Sequence, residues 1–531
     1  MAGGAKALNE ISVPPSSRLA RDSAIVGAAT ILSRLLGFAR DVLIARLLGA
    51  GPVADAFLAA LRLPNLVRRV LGEGGLNAPF VPLYLDVKAQ RGNEAARGFA
   101  GEAASYLALL LLALVGLGEM FAPWVVLGLA GGFAGEPDTL ALAATYTRLM
   151  LPFLLLTTLA AMLAALLNAE RRFALAALAP ALMNAILVGT LIVLIARASE
   201  PAPAARWLAS LVSLTGLAHL GLVLFGLRRI GWPKPSLRWS PEMTRLVRTG
   251  GATLLAASSA QLVLLVATQI ASIEPGSVAA LYYADRVFQL PLGFVGVAMG
   301  TVMLSEMAAQ SIQERDAALG QALTLGLALA LPAATALAAL AEPIVSVLFE
   351  HGLFGAQDRL RTAAALAAFA LGLPFAVISK VFGQVYFARQ APRLPVLAGL
   401  LAVIVAAVTG YATAKEGRAA EMAALAASLA FAAQAALLAV ALARDGLWRP
   451  GLANLRPIIA VLVASAVMLF VLVAAQTALA DPLAPGRPTL WRVAALAGLC
   501  GGGLLVYGAA GWVLGAFGSA DRPGPLRKPR A

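Results

Sequence analysis

The chain has 531 residues, 60% of them hydrophobic and only 13% charged, with a mean hydropathy of +0.84. Soluble domains are about a quarter charged, so a water-soluble core is excluded and a polytopic membrane protein is implied. The net charge of +14 would suggest nucleic acid in a soluble chain, but the basic residues crowd into loops and no nucleic-acid motif is present, so no nucleic-acid partner is expected. A lone cysteine, Cys500, and two distant histidines, His219 and His351, build neither a disulfide framework nor a metal site, and no cofactor is expected.

Residues 1–23 are polar, contain Pro14-Pro15 and lack an apolar core followed by a cleavage site. They read as a short N-terminal tail, not a signal peptide. Fourteen apolar runs then follow, each near the roughly 20 residues that cross a bilayer. They cover 24–49, 54–86, 99–128, 138–168, 173–197, 204–228, 243–272, 277–309, 318–349, 361–388, 394–414, 419–443, 455–480 and 490–517. The fold class is therefore all-α and polytopic. Span 2 is interrupted by Pro64, Gly72, Gly74, Gly75, Pro79 and Pro82 and should be kinked or broken. Span 8 contains Pro291. Residues 519–531 form a second polar tail.

Fourteen spans place both termini on one side. With that side cytoplasmic, and with basic residues at the approximate span ends, such as Arg228, Arg245, Arg248 and Arg492, counted with the adjoining connections, 24 of the 41 Lys and Arg fall in cytoplasmic segments, 8 on the opposite side and nine within spans. The threefold bias supports this orientation. A faint echo relates DAFLAALRLPNLV, from Asp55, to ALYYADRVFQLPLGF, from Ala280. The offset suggests two halves, spans 1–6 (24–230) and 7–12 (231–445), as in transporters that bind substrate between repeats. Spans 13 and 14 (446–518) would be an addition.

The charges inside the spans carry the functional question. An arginine at mid-bilayer costs from about 2.5 to more than 10 kcal/mol, so it usually faces a hydrated cavity or a partner. Snorkelling to the interface accounts for Arg46, Arg148 and Arg69. Arg34 and Arg40 lie ten or more residues inside their run, so for them cavity lining is favoured over snorkelling or a structural ion pair. Arg34 and Asp41, seven apart, share a helical face; Arg40 points elsewhere. Asp41 is expected to pair with an arginine on a neighbouring helix. Asp55, Arg62 and Arg69 repeat at seven in span 2, with Arg68 on another face. Asp285 and Arg286 in span 8 are adjacent and must diverge. Arginine's planar fork suits phosphate and pyrophosphate. Arginines from spans 1, 2 and 8 therefore suggest an anionic substrate at membrane depth, whereas a cation exporter would show an acid-lined cavity. Lys380 reads as structural or snorkelling, and Glu350 and His351 as loop residues.

The stretches SRLLGFARD, ADAFLAALRLPNLVRRVLGEGGLNAPFVPLY, LYYADRVFQLPLGFVGVAMGTVMLSEM and KVFGQVYFARQAPRLP resemble the MurJ/MviN family of lipid II flippases, from about residue 24 to the end. The resemblance implies two six-helix lobes, as in the multidrug/oligosaccharidyl-lipid/polysaccharide exporters, plus two C-terminal helices forming a groove for a lipid tail. It implies alternating-access transport of undecaprenyl-pyrophosphate-linked disaccharide-pentapeptide across the bacterial inner membrane, for cell wall synthesis. The expected partners are lipid II and membrane lipids, and the chain is expected to act as a monomer. By similarity, Arg34, Arg40, Arg68 and Arg286 would meet the diphosphate and sugar. Asp41, Asp55, Glu73 and Asp285 would form ion pairs or gate the cavity. The sequence departs from the family in carrying Gln289 where some members have glutamate, in GEGGLNAPF, and in a longer N-terminal tail. No Walker sequence is present, so an ion gradient or membrane potential is the expected energy source. Other readings are a flippase for another polyprenyl-diphosphate-linked sugar, a drug or cation antiporter, and a membrane enzyme on lipid-linked sugars. The last would need a carboxylate cluster in a sizeable loop, which the sequence lacks.

Overall fold

The computed structural model describes residues 16–68, 70, 77–306, 312–389, 391–415, 417–448 and 452–516. Among these, every regular element is a helix. They are α1 (Ser16–Leu48), α2 (Pro52–Val67), α3 (Asn77–Met120), α4 (Ala122–Leu129), α5 (Pro137–Ala169), α6 (Phe173–Ala196), α7 (Pro201–Leu227), α8 (Pro241–Ala271) and α9 (Ser277–Glu306). There follow α10 (Ile312–Ala339), α11 (Ala341–Phe349), α12 (Ala356–Ala388), α13 (Arg393–Thr413), α14 (Ala419–Arg444), α15 (Leu452–Ala478), α16 (Ala480–Leu483) and α17 (Thr489–Val513).

Within the described residues, each of the fourteen expected spans falls on helix. Among the described residues, ten helices are long and apolar enough to cross a membrane. The spans outside that set have physical reasons. α1 carries Arg34, Arg40 and Asp41 within its apolar stretch, α2 has only 16 residues, and Asp285 and Arg286 interrupt α9. In α8 the apolar piece is the short Ala260–Ala271.

Three boundaries differ from the sequence reading. α1 begins at Ser16, eight residues before the expected start, where serines suit a helix N-terminus. In span 2, α2 ends at Val67, Arg68 and Val70 lie in a wider π-helical turn, and α3 begins at Asn77; residues 69 and 71–76, with Gly72, Gly74 and Gly75, lie outside the described residues. Spans 2 and 3 then meet at Gly92, whose φ of +83° is left-handed and breaks α3 into two helices. Glu73 and residues 519–531 lie outside the described residues.

The chain forms two compact units. The first comprises Met1–Leu43, Leu61–Ala122 and Thr145–Leu254; the second comprises Ile44–Ala60, Pro123–Ala144 and Leu255–Ala531. In the first unit the extended stretch after α7 is fastened along α3. Arg97 donates to the Ile230 carbonyl, the Ser236 N–H to Ser105 Oγ, and the Tyr106 hydroxyl to the Leu237 carbonyl. Gly101 lets the strap lie close, since a side chain there would overlap the Lys234 carbonyl. Tyr106 and Trp239 meet edge to face, centroids 5.0 Å apart. The core of this unit is built by Phe80, Tyr84 and Phe99 of α3 with Leu163, Leu166 and Leu167 of α5.

In the second unit α12 is central, packing on α9, α10, α11 and α14. Phe288 stacks on Phe369 and Phe431. Small residues allow the α12–α14 crossing: Gly372 faces Ser428, whose hydroxyl donates to the Ala368 carbonyl at 2.7 Å.

The connections between spans sort by parity within each unit, as strict alternation across a bilayer requires. In the first unit the even connections meet: Lys88 pairs with Glu170 at 2.7 Å, and Arg91 pairs with Glu242. In the second unit the odd connections meet. Gly131 and Gly132 donate to Gln269 Oε1 and Ser272 Oγ, Leu353 N–H to the Arg46 carbonyl, Arg361 pairs with Glu274, and Ala419 N–H donates to Glu274. At the even end of that unit the Tyr386 hydroxyl donates to Asp445 at 2.9 Å. All seven tryptophans lie near a connection or a helix end, as interfacial anchors do. On α17, exposed Trp491 and Trp512 mark the two ends.

Candidate substrate site

In the first unit the charges of α1 are built around Arg40 and Asp41. Asp41 is buried at 2% exposure. Adjacent side chains on a helix ordinarily diverge. Arg40's long stem folds back, however, so that Nε and Nη2 both donate to Asp41 Oδ1, at 3.0 and 2.7 Å. Asp41 thus holds its own neighbour on α1. The adjacent helix α6 adds a neutral group. Asn184 of α6 accepts from Arg40 Nη1 at 3.0 Å and donates through Nδ2 to the Ser33 carbonyl at 3.1 Å. Its amide also lies against Gly37, where the lack of a side chain lets the two helices approach.

Asn184 thus orients a guanidinium and satisfies a carbonyl of α1 at once. Sequence reasoning passed over it because one asparagine in an apolar run has no periodic partner. Arg34, one turn and a half before Arg40, is exposed on α1. Arg68 is half-buried. In the same unit the buried His219 ring of α7 has Nδ1 3.4 Å from Thr157 Oγ1 of α5.

In the second unit Asp285 and Arg286 leave α9 in different directions. Gln289 Nε2 donates to Asp285 Oδ2 at 2.5 Å, so the amide occupies the position one turn on and faces the acid. A glutamate there would repel Asp285 across the same separation. Arg286 turns back one turn: Nη2 donates to the Tyr282 hydroxyl at 2.7 Å, and its guanidinium lies 4.5 Å from that ring's centroid. Tyr282, a second group that sequence reasoning missed, fixes the arginine without neutralising it.

Asp55 is the most enclosed of the predicted acids, with 0% exposure. Its oxygens accept from two backbone N–H groups at the start of α9, Gly276 at 2.6 Å and Ala279 at 2.7 Å. A side chain 221 residues away therefore caps this helix, where the orphan donors and the helix dipole favour an anion. Gly276 has φ +84°, and a side chain there would strike the Ala50 carbonyl, so the turn into α9 fits against connection 1 only as glycine. The Tyr283 hydroxyl donates to the Gly49 carbonyl at 3.1 Å in the same place.

Of the remaining span charges, Arg46 is exposed at the end of α1, Arg148 donates to the Glu119 carbonyl at 3.2 Å, and Lys380 is exposed on α12. Arg69 lies outside the described residues.

A family model described as "Lipid II flippase MurJ" matches residues 44–487. The chain is similar to a "Probable lipid II flippase MurJ" of Rhizobium meliloti (strain 1021), with 36% identity over 506 residues, 94% of each protein. It is also similar to a "Lipid II flippase MurJ" of Burkholderia cenocepacia, with 33% identity over 399 residues, 73% of this chain and 76% of that one. Among solved structures, one titled "Lipid II flippase MurJ, inward closed conformation" has a TM-score of 0.75 at 24% identity, covering 93% of this chain and 99% of the other. A MATE family transporter of the MOP superfamily, in an inward-facing conformation, has a TM-score of 0.62 at 15% identity, covering 80% of this chain and 98% of the other. These structural likenesses establish the fold. The match over most of the chain, together with the identity to the Rhizobium protein along nearly its full length, establishes that this multi-pass membrane transporter belongs to the lipid II flippase MurJ family.

Proposed function

We propose that this chain moves lipid II, the undecaprenyl-pyrophosphate-linked precursor of peptidoglycan, from the cytoplasmic to the periplasmic leaflet of the bacterial inner membrane. Family membership supports the substrate. The observation in the molecule that carries the reading is an arginine held ready at membrane depth by neutral and acidic partners: Arg40 on Asp41 and Asn184. Both termini are cytoplasmic in this reading, in line with the excess of basic residues on the even connections. The protein works as a single chain.

Arg34, Arg40, Arg68 and Arg286 bind the diphosphate and sugar. Asp41 and Asp285 orient arginines or the groups beside them, and Glu73 belongs with the gating residues. Arg40 exchanges part of its bonding to Asp41 for phosphate oxygens, so the head group replaces one anion by another and the guanidinium is never bare in the membrane. Asp55 is a gate on the periplasmic side: it closes connection 1 onto the start of α9, and its two N–H bonds break when the head group leaves. The lobes alternate in access, α15 and α17 receive the polyprenyl tail, and no covalent step occurs. Residues 24–230 and 231–445 are the two lobes of this cycle.

The test is complementation. A bacterium depleted of its own flippase is supplied with this chain, and lipid II outside the cytoplasmic membrane is measured. The parent chain restores growth and exposure of lipid II. Arg34→Ala, Arg40→Ala and Arg286→Ala, at normal membrane levels, do not. Rescue by all three would remove the anion site while leaving the flippase; failure of a well-expressed parent, with a known flippase rescuing the same host, would remove the substrate assignment.

A further inference from the structure

The C-terminal pair takes no part in the clusters above. α15 packs on α10, while α17 packs on α15 and reaches α10 and α11. Among the described residues, two hydrogen-bonded side chains of α17 cross this otherwise apolar interface. Six residues before the end of α17, the Tyr507 hydroxyl donates to the Ala328 carbonyl of α10 at 2.7 Å. In the first turn sits Arg492, 3% exposed.

A buried arginine is expensive unless its charge is met. Arg492 Nη2 donates to the Ser346 carbonyl at 2.6 Å and to Ser346 Oγ at 2.7 Å, and lies 3.6 Å from Glu350 Oε2. Ser346 Oγ in turn donates to the same carboxylate at 2.5 Å. Glu350 also accepts from Arg359 Nη1, at 2.8 and 3.1 Å, and Arg359 Nε lies 3.3 Å from Glu342 Oε1. Two arginines and two glutamates therefore knit the first turns of α17 and α12 to both ends of α11. Arg492 Nε is buried without an acceptor among the described residues, so this seat is incompletely satisfied and held less firmly than a fully paired one.

What the seat holds gives it a role. Glu350 opens connection 9, and three residues later the Leu353 N–H donates to the Arg46 carbonyl at the end of α1. Gly352, beside it, faces that same carbonyl at a distance no side chain would allow. A segment of a few residues thus has Arg492 at one end and the end of α1 at the other.

We propose that Arg492 is a positioning residue for transport: by holding Ser346 and Glu350 it keeps connection 9 seated on the end of α1, so that the C-terminal helix pair controls when that end opens. The word transport rests on the function proposed above; the coupling does not.

The experiment reads the coupling directly. The full-length chain, in a Cys500→Ala background, carries a reporter cysteine at Ala50, which is buried beside the turn into α9. The purified protein in detergent is labelled with a sulfonated maleimide. Arg492→Gln raises the labelling rate about tenfold, the scale set by losing a charge-assisted pair of hydrogen bonds. Tyr507→Phe, which removes the other tie of the same helix, leaves the rate within about twofold. Glu350→Gln is read in parallel, and carries the test if Arg492→Gln does not reach the membrane. Unchanged labelling in whichever of the two is folded overturns the proposal, as does an equal rise in Tyr507→Phe, which would mean general loosening. Because labelling needs no lipid II, a failed complementation with the labelling response intact would count against the substrate alone.

Discussion

Replacing Asp55 by alanine removes both acceptors from Gly276 and Ala279 at the start of α9. Each orphaned N–H costs about 1–1.5 kcal/mol, the lower part of the range for a buried unsatisfied donor, because removing the carboxylate also relieves its desolvation. The expected net loss is about 2–3 kcal/mol. Asparagine is nearly isosteric, yet it fares little better, because its amide presents N–H groups to a backbone N–H where the carboxylate presented an oxygen. For a cooperative unit of roughly 300 residues, unfolding entropy of about 2 cal/mol/K per residue converts this loss to a fall in melting temperature of about 4 °C. The assay is thermal unfolding of the purified chain in one detergent, followed by helical circular dichroism, with parent, Asp55→Ala and Asp55→Asn side by side. Asp55→Asn melting within about 1 °C of the parent would refute the capping argument, since it keeps the volume and loses only the charge and one acceptor.

Asn184→Leu fills the same space without a carbonyl for Arg40 or a donor for Ser33; it is expected to reach the membrane yet fail complementation, whereas Asn184→Gln restores part of the growth. Gly101→Val pushes the Lys234 carbonyl off α3, which should free the strap to trypsin after Arg229 while the parent stays resistant there; overpacking of this kind costs about 1–3 kcal/mol. Glu170 lies in connection 4, outside the spans. Burial alone would raise its pKa, but hydrogen bonds from Lys88 and Tyr84, and the Lys88 charge, outweigh it and hold the carboxyl below the ordinary glutamate value of 4.5. A depressed folded-state pKa means that this stabilisation is complete above about pH 4.5 and is lost as pH falls through the folded value. The melting difference between parent and Glu170→Gln should therefore be constant near neutrality and shrink in acid, and a difference that grew in acid would contradict the pairing.

Hydropathy made the fourteen spans and the charged character of α1 and α9 readable in advance, because these are local properties of the chain. The parity of the connections followed from the same count. Partners were not readable. Asp55 looked like one member of a seven-residue repeat with arginines of its own helix; its actual acceptor role depends on a turn 221 residues away. Asn184 and Tyr282 are single polar residues in apolar helices, and nothing in their own neighbourhood distinguishes them from packing. Arg492 is a single charge at the start of span 14, and only the fold buries it against Ser346. Arg40 and Asp41 were both singled out in the sequence, yet adjacency argued against their pairing, and the length of the arginine stem overruled that argument.

The two tryptophans of α17 make this helix a ruler. Trp491 and Trp512 stand 21 residues apart, about 32 Å along a straight helix. That length matches an ordinary hydrocarbon core with little tilt. In a bilayer thinned to about 27 Å the same pair of anchors would require a tilt of about 30°, or one indole would leave its interface. The acyl-chain length of a reconstituted membrane is thus a mechanical input to this molecule, applied at the helix whose first turn carries Arg492.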